Sequence, residues 1–236
     1  ARIEEQPGES EGGDNALVRA RDNLGLLWSY SALRNFVIAR ALLMSSALAA
    51  PFMVMLLQRE QGGGATLGAL LLASSLASSL SATLWGWMAD SSSRGVLIRG
   101  GAIAPLSCFL VLPLMWLELS GLWQSAAVAV LYFVLSVGHA GVRIGRKTYL
   151  VNMAEGNRRT DYVSLSNSVI GVLLLASGGL LAVLASWSVI VNLCVLALMA
   201  LVGVWRAQRL PEVEYRSKNG NRLGVSLRIK TSGRAT

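Results

Sequence analysis

Charge is what this sequence most lacks. Only 14% of its 236 residues are charged, against roughly 25% in an average soluble domain. Too few polar residues remain to cover a soluble globule of this size, and the mean hydropathy of +0.52 excludes a disordered chain. There are 13 acidic residues and one histidine, which rules out most histidine-based metal and triad chemistry. The two cysteines, Cys108 and Cys194, fall inside apolar runs without ligand spacing and read as small buried hydrophobes. Paired carboxylates, a Gly-rich phosphate loop and a nucleophile elbow are all missing. An enzyme reading is therefore poor, and no catalytic residue, cofactor or metal is assigned. The first 32 residues lack the apolar core of a signal peptide. The chain opens at Ala1 without an initiator Met, so it is expected to be processed or to be a piece of something longer.

What the sequence does have is six apolar runs: Leu33–Leu57, Ala65–Met88, Ile98–Leu117, Trp123–Val142, Val163–Ala185 and Trp187–Val204. Each is about 18 to 25 residues long, enough to cross a hydrocarbon core of about 30 Å at 1.5 Å per residue. Lipid offers no partner to backbone N–H and C=O groups, so the spans must be helices. The reading is an all-α integral membrane protein with a six-helix bundle over residues 33–205, a polar lead over 1–32 and a basic tail over 206–236.

The cations give an orientation. With six spans, 19 of the 21 basic residues fall on the side holding the N-terminus; Arg59 falls opposite and Arg40 within the first run. The positive-inside rule makes that side cytoplasmic, with both termini there, in what reads as a bacterial cytoplasmic membrane. Trp116, Trp123 and Trp187 fall at outer ends, and Trp28, Trp85, Trp87 and Trp205 at inner ends, as interfacial belts require. The net charge of +8 is then a match for lipid headgroups, not for nucleic acid. In the lead, Asn15–Tyr30 reads as a basic amphipathic helix on the membrane, with Leu17, Leu24, Leu27 and Trp28 on one side, or else as an irregular linker. Residues 1–14 and the tail beyond Pro211 read as disordered.

Between the second and third runs lies Gly86-Trp87-Met88-Ala89-Asp90-Ser91-Ser92-Ser93-Arg94. An Asp at a helix end faces an Arg a few residues on, and Gly86 would admit a neighbouring helix closely. A contact of this kind that forms in one conformation and breaks in another is a latch; the alternative is a solvated turn with a positive-inside Arg. Arg40 lies about 10 Å into the first span, where a charge is expensive unless it meets water or a partner. His139 and Arg143 fall at comparable depth in the fourth. Together they read as a positive cluster in a cavity, for an anionic substrate group or a carboxylate of another bundle, or else Arg40 snorkels to headgroups and His139 is a packing residue. Ser45, Ser46, Tyr132 and Ser136 are weaker cavity candidates. Pro51 is expected to kink the first helix. Only Asp90 and Glu118 touch span ends, so a proton-carrying carboxylate would have to come from elsewhere.

The loop resembles the signature of the major facilitator superfamily, G-x-L-a-D-r-x-G-R, in the degenerate form of that family's second half. Gly86, Ala89, Asp90 and Arg94 match; Met88, Ser91, Ser93 and Gly95 depart from it. Gly138–Tyr149, Asp161–Asn167 and Arg209-Leu210-Pro211-Glu212 are similar to the later helices of bacterial drug-efflux-like members, and the likeness covers roughly residues 15–213. It implies that the six spans are helices seven to twelve, half of a major-facilitator fold built of two inverted three-helix repeats. It also implies a small-molecule substrate moved by alternating access as secondary active transport, with the missing N-terminal six-helix half (same gene or a separate chain) or a homodimer mate as partner. By the same likeness the first and fourth spans line the cavity, the second and fifth face the other bundle, and the third and sixth face lipid. Ser74, Ser78 and Ser81 on the second span, and Ser164, Ser168 and Gly171 on the fifth, would form that inter-bundle packing face. The competing reading is a non-transporting six-helix scaffold subunit of a larger membrane complex.

Overall fold

The computed structural model describes residues 25, 27–61, 64–114, 116–117, 121–154 and 159–214. The expectations placed on residues 1–24 and 215–236, among them Leu17, Leu24 and most of the amphipathic lead, lie outside the described residues. Seven helices are described: α1 (Ser31–Leu43), α2 (Ser45–Gln61), α3 (Gly64–Ser91), α4 (Ser93–Leu114), α5 (Gly121–Met153), α6 (Arg159–Trp187) and α7 (Val189–Gln208). The first two are one span, interrupted at Met44. Five passes are long and apolar enough to cross a membrane. The sixth pass is α3, which has 28 residues.

The interruption in the first span falls at Met44, not at Pro51, which sits inside α2. The Met44 N–H is shared between the carbonyls of Arg40 (3.1 Å) and Ala41 (3.3 Å), while Ser46 Oγ donates to the Leu43 carbonyl at 2.9 Å. A side chain competing for a helix carbonyl loosens the turn at Met44.

α4 packs chiefly on α5 and α7, α7 on α4 and the first span, and α3 on α5, while α6 lies more loosely against α7 and the first span. Glycine makes the central contact possible. A Cβ on Gly100 would lie 2.9 Å from the Gly138 carbonyl oxygen, and one on Gly138 would lie 2.7 Å from Ile103 Cβ. Only hydrogen fits there, so α4 and α5 meet backbone to backbone.

One end of the bundle gathers the start of α1, the α3–α4 junction, the end of α5 and the end of α7. Phe36 stacks on Tyr149 with ring centroids 5.0 Å apart. Tyr149 Oη donates to the Pro211 carbonyl at 3.0 Å, and Asn152 Nδ2 to Glu214 Oε1 at 3.3 Å. This is the end the cations mark. Arg143, Arg146 and Lys147, which follow the fourth apolar run, lie on α5, which continues beyond Val142 to Met153. The tail boundary at residue 206 is also too early. α7 runs to Gln208, and Leu210, Val213 and Glu214 are buried; Glu214 accepts from the Ser93 N–H on α4 and from Asn152 on α5.

Candidate functional site

Ser46, Tyr132, Ser136 and His139 come together at a cavity of about 250 Å³, with Ser74 and Ser78 completing its polar wall. It lies between α2, α3 and α5. His139 Nδ1 stands 3.1 Å from Ser46 Oγ. The Ser46 hydroxyl proton is committed to the Leu43 carbonyl, so Nδ1 is the donor in this pair. Ser136 Oγ donates to the Tyr132 carbonyl at 2.8 Å. Hydroxyls satisfied by their own helix keep lone pairs for a solute.

Arg40 is buried in the first span, a turn below Met44. Its Nη1 donates to Ser166 Oγ at 2.5 Å and its Nη2 to Asn167 Oδ1 at 2.8 Å. It therefore reaches across to α6 and does not snorkel. Ser45 is buried with its Oγ unpartnered among the described residues. Arg143 is exposed and does not line the cavity, although its charge acts on His139. A residue outside the expected set replaces it: Arg146 is half-buried and its Nη1 contacts Met44 Sδ at 2.8 Å.

The signature loop is built differently from the expected Asp90–Arg94 pair. Arg94 Nε meets Glu212 Oε1 at 2.9 Å, and its Nη1 donates to the Leu210 carbonyl at 2.8 Å. Ser92 Oγ donates to the same carboxylate at 3.0 Å, and the Ser93 N–H donates to Glu214 Oε1 at 2.9 Å. Asp90 is exposed, because α3 ends at Ser91 with Asp90 turned away from the chain end beyond α7. Gly86 meets nothing: a Cβ there would have open space within 4 Å. Burial pushes the Glu214 carboxyl up, but hydrogen bonds from Ser93 and Asn152 outweigh it and hold the group below its ordinary range.

Of the expected inter-bundle face, Ser74 and Ser78 line the cavity and Ser81 is buried, donating to the Ala77 carbonyl. Ser164, Ser168 and Gly171 are exposed. The second and fifth spans are the least covered, with Leu71, Leu72, Leu80, Val172, Leu175 and Leu180 all open. The third and sixth present Leu106, Leu110, Leu198 and Val202 outward yet pack on one another on their other sides. Trp116, Trp123, Trp187, Trp28 and Trp87 are widely exposed, but Trp85 is buried. It is a packing residue whose Nε1 donates to the Val137 carbonyl at 2.9 Å.

Several residues escaped the sequence reading. Glu214 falls in the tail read as disordered beyond Pro211, and Glu212 closes the Arg209–Glu212 stretch without an assigned role; no local pattern marks either as a partner of α4. Gly138, Gly141 and Gly145 stand three and four residues apart on one helix face, a pattern that marks close helix contact. Met44, Ser166 and Asn167 carried no such signal. No group of His, Cys, Asp and Glu among the described residues could hold a metal.

The family model described as Major Facilitator Superfamily matches residues 36–232. Comparison with curated proteins and with solved structures returned no match. The match runs from the first span through all six passes and the clamp formed by Arg94, Glu212 and Glu214, and the chain belongs to the major facilitator superfamily, a family of membrane transporters.

Proposed function

We propose that this chain is the C-terminal six-helix bundle of a secondary transporter of the drug-efflux-like kind, moving a small solute across a bacterial cytoplasmic membrane by alternating access. The observation that carries the reading is the cavity of Ser46, Ser74, Ser78, Tyr132, Ser136 and His139. It opens beside a second span whose apolar face is uncovered among the described residues. Polar side chains converging inside an otherwise apolar bundle cost stability unless something uses them. The two uncovered faces, on α3 and α6, are where a second bundle would rock against this one. The ends of the first and last helices, at the basic end, lie in the cytoplasm in this reading.

The test is flux. The chain is reconstituted into proteoliposomes with a second six-helix bundle, either the segment encoded upstream of Ala1 or a second copy, and efflux of a panel of labelled solutes is measured. Transport that needs both bundles and falls in Ser136→Leu is the expected result. A folded, paired assembly that moves no solute of any charge class overturns it.

A further inference from the structure

Among the described residues, two guanidinium groups of this bundle have no anion. Arg40 is 8% exposed; its described partners, Ser166 and Asn167, are neutral, and its Nε has none. Arg146 rests on a thioether, Met44 Sδ, which is a weak acceptor. Met44 caps α1 in a helical backbone conformation, four residues after Arg40, so the two share a face. Arg146 thus reaches from α5 to the same side of α1 on which Arg40 sits, and the two charges repel.

The described carboxylates are all elsewhere. Asp90 and Asp161 are exposed, Glu212 is taken by Arg94, and Glu214 by Ser93 and Asn152. Ser45 adds a buried hydroxyl, 1% exposed and unpartnered, at the break between α1 and α2. A buried charge is retained against a cost of desolvation, and a second cation beside it without a described counter-charge raises that cost. The group that would relieve it is an oxyanion able to take two guanidinium donors.

We infer that Arg40 and Arg146 hold the acidic group of the transported solute, a small carboxylate or phosphate. Its body lies toward the hydroxyls of Ser46 and Ser136. His139, two turns from Arg146 on α5, joins the two regions: its ring bonds Ser46 and lies in the field of Arg146. Met44 Sδ occupies the position of one anionic oxygen and swings aside on binding, as a flexible thioether can. The inference rests on the cavity reading above and gives it a substrate class.

The full chain in lipid nanodiscs provides the test. Its thermal unfolding midpoint is followed at constant ionic strength while lactate, succinate or inorganic phosphate is added, with mannitol and tetraethylammonium as neutral and cationic controls. At least one of the three anions raises the midpoint and neither control does. Arg146→Gln weakens that apparent affinity about tenfold or more, while Arg99→Gln, which removes an exposed cation at the same end, leaves it unchanged. Arg40→Gln gives the same loss; should that variant not fold, the half-exposed Arg146 decides alone. Midpoints that respond to none of the anions, or an equal rise in Arg146→Gln, overturn the assignment. Alkylation of Ser136→Cys separates this failure from that of the cavity reading. Protection by mannitol or tetraethylammonium, with none from the anions, leaves the cavity in place and removes its anionic specificity.

Discussion

Arg94 Nε and Glu212 Oε1 lie 2.9 Å apart, although the two residues belong to the third span and to the chain beyond the sixth. The pair sits at the rim of the clamp, half open to solvent, while Glu214 is 6% exposed behind it. The two acids are therefore unequal. Glu212→Gln removes a solvent-screened pair and costs about 0.2–1 kcal/mol. Glu214→Ala leaves the Ser93 N–H and the Asn152 amide without their acceptor and costs about 1–3 kcal/mol. Thermal unfolding in nanodiscs reads the difference, and equal losses would remove the distinction.

The clamp is also acid-sensitive, with a definite sign. The Glu214 carboxyl is held below its ordinary value of 4.5, so the unfolded chain takes up the proton first. The stabilisation is complete above the unfolded value and is lost as pH falls through the folded one. The unfolding midpoint of the wild type should drop as the pH is lowered below about 4.5, with a smaller drop in Glu214→Gln. Parallel curves for the two proteins would assign the acid sensitivity to another group.

How much of this was legible in the sequence follows from the range of each force. The helical passes were, because burial in lipid is written into contiguous runs of side chains. The gathering of one end was also legible, since a cation cannot be carried across the bilayer cheaply. The partner of Arg94 was not. The motif suggested Asp90, four residues away, whereas the carboxylate that meets it arrives from 118 residues on, and no local pattern encodes that. The extension of α5 to Met153 was hidden for a related reason. Arg143, Arg146 and Lys147 ended the apolar run, but a helix that leaves the lipid keeps its backbone hydrogen bonds and needs only one apolar face. Val142, Tyr149 and Leu150, all buried, supply that face.

Glycines at two kinds of position should respond in opposite directions. A Cβ on Gly141 would lie 2.8 Å from Cε2 of the Trp85 indole, and that ring is pinned by its bond to the Val137 carbonyl. Gly141→Ala should cost about 1–3 kcal/mol through overpacking. Gly171 has open space around its Cβ position, so Gly171→Ala should stabilise the isolated chain by about 0.5–1 kcal/mol through helix propensity. If α6 faces a second bundle, the same Gly171→Ala substitution weakens bundle pairing, measured as the midpoint of assembly in co-reconstitution. A Gly171→Ala protein that pairs as well as the wild type would place that face against lipid.

Asn192 is the sharpest unpaid cost in the bundle. It is fully buried in α7, and neither its Oδ1 nor its Nδ2 has a partner among the described residues. Its neighbours in the core are Leu193 and Leu196, with Val189 one turn before it. A primary amide held without hydrogen bonds in such surroundings costs about 1–3 kcal/mol, and a leucine, which has the same branched heavy-atom skeleton with bulkier methyl ends, removes that cost. Asn192→Leu should therefore raise the unfolding midpoint in nanodiscs. Asn192→Ala, which removes the amide but opens a void, should gain less, because the lost contacts offset the relief. A fall in the midpoint of Asn192→Leu would mean that the amide is satisfied in the membrane, by water or by a second bundle. Repeating the measurement with the bundles paired tells these apart: only the second source makes the loss depend on pairing.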